Sequence, residues 1–564
     1  MNRYIRRLFL LFFLLCARHG NAATLTLDSN DVARVMSQAL TRAYYFLTNG
    51  TTTNAVIAVV DREGFVLGVV SLQSAKVTAI DPVTEDLAVV NAISKAGTAA
   101  FLSSDQDAFT SRTAGYIVQQ HFPPLIRNTA PGPLVGVNFS SLAFSDVNYY
   151  KIPQTYDPSA YGGGGTNGTP IATDPLLEPL TGLNGSPGGV PLYKGGQLVG
   201  GVGAAVKGKG MIPELSDIQL TTGETYDTDE DVAMAAQNGY QAPPAILATS
   251  ALIGGIRLPY VNSTTRVTKT ATINPAVAVL VTNYELTVSP RVAYPLLKLG
   301  GVEGEIRAPI IGDPITGPNR LTARDVTNIL ASAAKNAATI RAGIRLPIGT
   351  SAKVFIAVVN NPAPGDAPKI LGTFRILDAT MFSWDVAVQK ARTALFFSSD
   401  KGAFSTRAIG FLAETFYPPG IDGTAPGPLL AVQDVFSLLQ QGVTNPLNGI
   451  YITGGRIPKA PFITTNLTTA VPLLTTHSIA SIPLAAPDPS LPNGITIFPG
   501  GFPLYRNGEL IGAVGVSGDG VDVDDLISAW GTVNFEAPDS IRSDQIIYRG
   551  TRLPYAKFPR NPTL

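Results

Sequence analysis

Two lysines stand inside apolar, alanine-rich stretches of this 564-residue chain: Lys95 in KAGTAAF and Lys390 in KARTALF. A lysine buried in such a place pairs with an anion, or becomes a base if desolvation lowers its pKa. The alternative is a lysine at a helix edge, its stem covered and its ammonium in water. Arg112 and Arg407 follow the lysines at one common interval. Facing a pocket, each guanidinium would clamp a carboxylate; a salt bridge to Asp105 or Asp400 is the simpler expectation. Tyr193 and Tyr505 each sit in a PLY triplet, facing either a ligand or the core. The chain has three histidines, His19, His121 and His477. His121 would offer an imidazole to a metal ion, against the plainer reading of a helix end beside Pro123-Pro124. Its matched position in the second half carries Phe416. A Ser-His-Asp triad would have to be assembled from unlike loops, and no catalytic residue is assigned.

Two acidic runs complete the set: Asp227, Asp229, Glu230 and Asp231, then Asp519, Asp522, Asp524 and Asp525. They are loose oxygen-ligand sets for a hard cation or acidic first turns of helices. Neither has the EF-hand spacing, so the helix reading is favoured. The glycine-rich pieces form neither a dinucleotide fingerprint nor a phosphate loop.

These residues come in pairs because the chain repeats. Lys95–Pro124 returns at Lys390–Pro419 without a gap, an offset of 390 − 95 = 295. TAPGPL at Thr129–Leu134 recurs at Thr424–Leu429, and RLPY at Arg257–Tyr260 recurs at Arg552–Tyr555. So long a period means tandem domains rather than a solenoid. The expected division is a signal segment over 1–22, a first domain over 23–260 with an insert near 134–187, a connector over 261–320, and a second domain over 321–564 with an insert near 429–499.

The positioning elements follow from periodicity. Val32, Val35, Met36, Ala39, Leu40 and Ala43 share one face of a helix over 28–46, and Val326, Ile329, Leu330, Ala333, Ala334 and Ala337 one over 322–340. AVIAVV at 55–60, a turn at 61–64 and a return at 65–72 read as a hairpin, matched by 354–359 and 370–377. Helices are expected over 87–101 and 384–397, with Ser104-Asp105 and Ser399-Asp400 stopping them and capping the next. Gly195-Gly196 and Asn507-Gly508 predict tight hairpins. Strands that arrive in hairpins must be antiparallel, so the class is α+β.

Lys+Arg and Asp+Glu are both 41, which argues against a nucleic-acid binder. Arg3, Arg6 and Arg7, the apolar run to Cys16 and the small residues before Ala23 predict an export signal. The mature chain then has no cysteine, and no stretch is long and apolar enough to span a membrane. Export puts the protein in the periplasm or outside the cell.

The AVIAVVDREGFVLG hairpin, the KAxTAxF helix and GGxPLYxxGxLxGxVG with its acidic helix start resemble the GlcG/HbpS family of haem-binding and haem-degrading-like domains. The resemblance covers most of both halves outside the inserts and connector. It implies two profilin-like domains and binding of haem or another small anion-bearing ligand. It also implies association, here as an intramolecular pseudo-dimer or a homo-oligomer. Three functions stay open: a binding protein, an enzyme acting on a small hydroxy-acid, diol or tetrapyrrole, and a structural tandem. The candidate ligand-binding residues are Lys95, Arg112, His121, Tyr193, Lys390, Arg407 and Tyr505.

Overall fold

The computed structural model describes residues 25–49, 54–73, 82–117, 122–123, 126, 132–133, 184–206, 226–253, 255–267, 269–270, 278–280, 294–343, 349–414, 416–429 and 495–557. The signal segment, His121, His477 and most of both inserts lie outside them.

The first half contains α1 (Ser29–Thr48), β1 (Asn54–Asp61), β2 (Val66–Gln73), α2 (Pro82–Leu102), α3 (Ser111–Ile117), β3 (Gly189–Lys194), β4 (Gln197–Val206) and α4 (Thr228–Ala236). A two-stranded ribbon, β5 (Leu252–Ile253) and β6 (Ile256–Arg257), follows, then β7 (Ala278–Leu280). The second half contains β8 (Leu296–Leu299), β9 (Val302–Ala308), α5 (Ala323–Ala337), β10 (Phe355–Asn360), β11 (Ile370–Ile376), α6 (Ser383–Phe396) and α7 (Thr406–Leu412). It closes with β12 (Gly501–Arg506), β13 (Glu509–Ser517), α8 (Val521–Gly531) and the ribbon β14 (Ile547–Tyr548) and β15 (Thr551–Arg552).

The strand orders are β3-β4-β1-β2-β7 and β12-β13-β10-β11-β9-β8. Every pairing is antiparallel, so the molecule is α+β with helices flanking antiparallel sheets. The connector, whose Thr-, Val- and Pro-rich text predicts some strand, gives β7 to the first sheet and the β8–β9 hairpin to the second. That text has no counterpart in the repeat, so only the tertiary pairing reveals which sheet each strand joins.

Strand periodicity sorts the core. In β1, Val56, Ala58 and Val60 face one cluster while Ala55, Ile57 and Val59 face another. In β10, Phe355, Ala357 and Val359 join the first of these clusters, and Ile356 and Val358 enter a third. The outer clusters lie beneath α1 and α4 in one half and α5 and α8 in the other. The central cluster is shared: Val89, Ala92 and Ala96 of α2 and Trp384, Ala387 and Ala391 of α6 belong to it together. One hydrophobic core thus crosses from half to half.

Local signals start the helices where they were expected. Asp28 and Asp31 form a capping box on α1, and Thr322 and Asp325 form one on α5, each worth about 1 kcal/mol. The Ser-Ser-Asp stretch does not cap α7. Ser405 does, accepting from the Ala408 N–H, and Asp400 instead accepts from the Leu510 N–H at 2.8 Å. Asp105 does the same for Leu198 at 2.8 Å.

Glycine explains how closely helix and sheet approach. A Cβ on Gly203 would lie 2.0 Å from the Ala92 carbonyl, and one on Gly515 would lie 2.0 Å from that of Ala387. The turns Gly195-Gly196 and Asn507-Gly508 all have positive φ, as two-residue hairpins of this kind require.

Candidate functional site

Close helix–sheet packing brings each lysine against the far end of its sheet. Lys95 Nζ donates to Asp229 Oδ2 at 2.6 Å and to the Ala204 carbonyl at 3.3 Å. Lys390 Nζ donates to Asp524 Oδ2 at 2.8 Å and to the Val516 carbonyl at 2.8 Å. Both pairs join residues 134 apart. Both lysine side chains are 1% exposed, so neither reaches water. The second carboxylate oxygen is used as well: Asp229 Oδ1 accepts from the Val206 N–H and Asp524 Oδ1 from that of Asp519. Burial pushes the Asp229 carboxyl up to about 7 against the pull of Lys95. Burial likewise raises Asp524 and lowers Lys390, each opposed by its partner.

The arginines correct an expectation. Arg112 does not pair with Asp105, nor Arg407 with Asp400. Arg112 Nε donates to Glu230 Oε2 at 2.5 Å, and Arg407 Nε to Asp525 Oδ2 at 2.9 Å, each across 118 residues. Arg407 also holds Asp522 at 2.7 Å. Asp105 is taken by Arg62 at 3.1 Å. Of the acidic runs, Asp227 caps α4 by accepting from the Glu230 N–H. Asp231 accepts from Arg42, from Ser263 at 2.6 Å and from Thr265. Among the described residues no cluster of three or more His, Cys, Asp or Glu is placed to hold a metal ion.

Tyr193 and Tyr505 face the core. The Tyr193 hydroxyl donates toward the carbonyls of Ser104 (2.7 Å) and Asp107 (2.8 Å), and Tyr505 donates to Ser399 at 2.8 Å. Burial raises both phenols, that of Tyr193 well above its ordinary value. They anchor the loop after the long helix to the hairpin.

A second charged group lies where the halves meet, and nothing in the sequence marked it. Glu63, in the turn between β1 and β2, is gripped by Arg307 of β9: Nη1 to Oε2 at 2.7 Å and Nη2 to Oε1 at 3.0 Å. Arg375 of β11 stands 3.5 Å from Glu63 Oε1, and Glu305 accepts from both arginines. Burial alone would raise the Glu63 carboxyl; Arg307, Arg375 and Arg62 outweigh it and hold it at about 2. Arg62 also pairs with Asp378 at 2.9 Å, and the Asp105 N–H donates to the same carboxylate at 2.8 Å.

Residues 464–531 match the family described as "Haem degrading protein HbpS-like". The described part of that stretch holds β12, β13 and the whole of α8, including Tyr505, Asp524 and Asp525. Among solved structures, that of a PduOC:heme complex is 17% identical, covers 39% of this chain and 96% of its own, and superposes with a TM-score of 0.22. The Klebsiella pneumoniae protein ORFY is 19% identical over 40% of this chain and 98% of its own, also with a TM-score of 0.22. No curated protein matches the chain.

The HbpS-like stretch has a structural counterpart in the first half. Lys95–Asp229 repeats Lys390–Asp524, Arg112–Glu230 repeats Arg407–Asp525, and Tyr193 repeats Tyr505. Helix, hairpin and acidic helix are thus cross-linked the same way twice.

Proposed function

We propose that the protein is an exported, non-catalytic small-ligand-binding protein made of two HbpS-like modules packed as an intramolecular pseudo-dimer. The carrying observation is the repetition, in the first half, of the ion pairs that surround the HbpS-like match in the second. The side chains that an enzyme would use for acid–base or clamping work are spent on internal partners. This weighs against catalysis by these residues and equally removes them as ligand contacts.

Haem is the first ligand to test, because the matched family's description names it. The described candidates do not fit haem. The lysines and arginines already neutralise buried carboxylates. Tyr193 and Tyr505 donate to carbonyls and are held protonated, and a neutral phenol is a poor iron ligand. Our reading gives a haem iron His121 as its ligand, at a position where the second half carries Phe416.

The experiment is a haem titration of the mature chain, followed in the Soret band, for wild type and His121→Ala. One site per chain, lost in the variant, is expected. Two equal sites, or one site indifferent to His121, would take the histidine out. No Soret shift at all would sink haem and leave another small ligand.

A further inference from the structure

The grip on Glu63 has the construction of a binding site. Its donors are set by the second half alone. Arg307 lies on the Tyr294 ring, 3.6 Å from the centroid, with Trp384 at 5.3 Å. Its Nε is fixed on Glu305 at 2.8 Å. Arg375 is fixed by the Ala379 carbonyl, which accepts from Nε at 3.0 Å and Nη2 at 2.7 Å. Both guanidiniums are almost wholly buried, at 1% and 4% exposure. Glu305 offsets one of the two positive charges. The other faces a fork whose only first-half occupant among the described residues is Glu63, which keeps 19% of its side chain open to solvent. A buried guanidinium stripped of its carboxylate is costly, and planar, pre-oriented donors suit any carboxylate that can enter.

We propose that Arg307 and Arg375 form a carboxylate-binding socket whose internal ligand is Glu63, and that the socket takes a small free carboxylate when that side chain is removed. Glu63→Ala deletes a methylene and a carboxylate, the size and charge of acetate. The open side of Glu63 supplies the entrance. The inference does not depend on haem and survives the failure of that reading.

The test is thermal unfolding of Glu63→Ala in sodium acetate against sodium chloride at equal ionic strength. Acetate binding to the folded state alone should raise the Tm with the logarithm of its concentration. Wild type should show no acetate effect beyond chloride. Glu63→Gln, which fills the space without charge, should show none either. If Glu63→Ala does not fold in chloride, the yield of refolded protein in acetate against chloride is read instead, and acetate should restore it. Equal responses to acetate and chloride in Glu63→Ala, or equal acetate rescue of Glu63→Ala and Glu63→Gln, would overturn the socket.

Discussion

The two halves keep one ion pair and let the other drift. Lys95–Asp229 and Lys390–Asp524 have the same spacing, the same carbonyl as second acceptor and the same depth. Arg112–Glu230 is also fully buried, but its counterpart has a shorter acid, Asp525, and an arginine that is 17% exposed. Arg407 recruits Asp522, which also meets Lys557 at the surface. Water explains the difference. A buried cation has no substitute for its partner, whereas one at the surface can rearrange its contacts and be screened.

The sharpest way to break the comparison is to remove one acid of the constant pair. Asp229→Asn and Asp524→Asn should each cost about 3–5 kcal/mol, because each strands a buried lysine. Denaturant unfolding should show losses of similar size. A loss confined to one half would mean the two pairs do different jobs. The drifting pair gives a smaller and unequal effect. Arg112→Ala should approach the same magnitude, while Arg407→Ala should cost less, because the buried Asp525 keeps the Lys557 N–H as a donor and Arg407 is itself 17% exposed; equal losses would refute the solvent argument.

A further effect is a pH dependence at a position where the two halves differ. Burial raises the Glu414 carboxyl from 4.5 to about 7, and the matched residue in the first half is Gln119. A raised carboxyl contributes stability at low pH and loses it as the pH climbs through the folded value. Wild type should therefore lose stability relative to Glu414→Gln between about pH 4.5 and 7 and run level above. Parallel Tm–pH curves for the two proteins would remove Glu414 as the cause.

What could be read from the sequence was local. The caps at Asp28 and Thr322, the continuous apolar run of β1 and the positive-φ turns are set by residues within a few positions of each other. The repeat then copied each reading into the other half. Partners across the fold were not legible. The acidic run at Asp227–Asp231 reads as a helix start, and Asp227 caps one. That Asp229 would meet Lys95 depends on how closely glycine lets α2 approach β4. Ser399-Asp400 looked like a cap because its types suit one, yet its carboxylate serves a strand over a hundred residues away. The Glu63 grip gave no signal at all. One member sits in an ordinary turn and the other in a stretch outside the repeat.

The socket for Glu63 has a consequence for what a joined pair can become. In a dimer of identical chains each seam residue appears twice, so a contact between unlike surfaces must be compatible with its own mirror across the twofold axis. A single chain that carries both partners is released from that condition. Here one side can supply a carboxylate and the other two guanidiniums, with no reciprocal copy required. Each position along the seam can then change independently, and the pair can specialise into a plug and a receptacle that two separate copies of either half would lack.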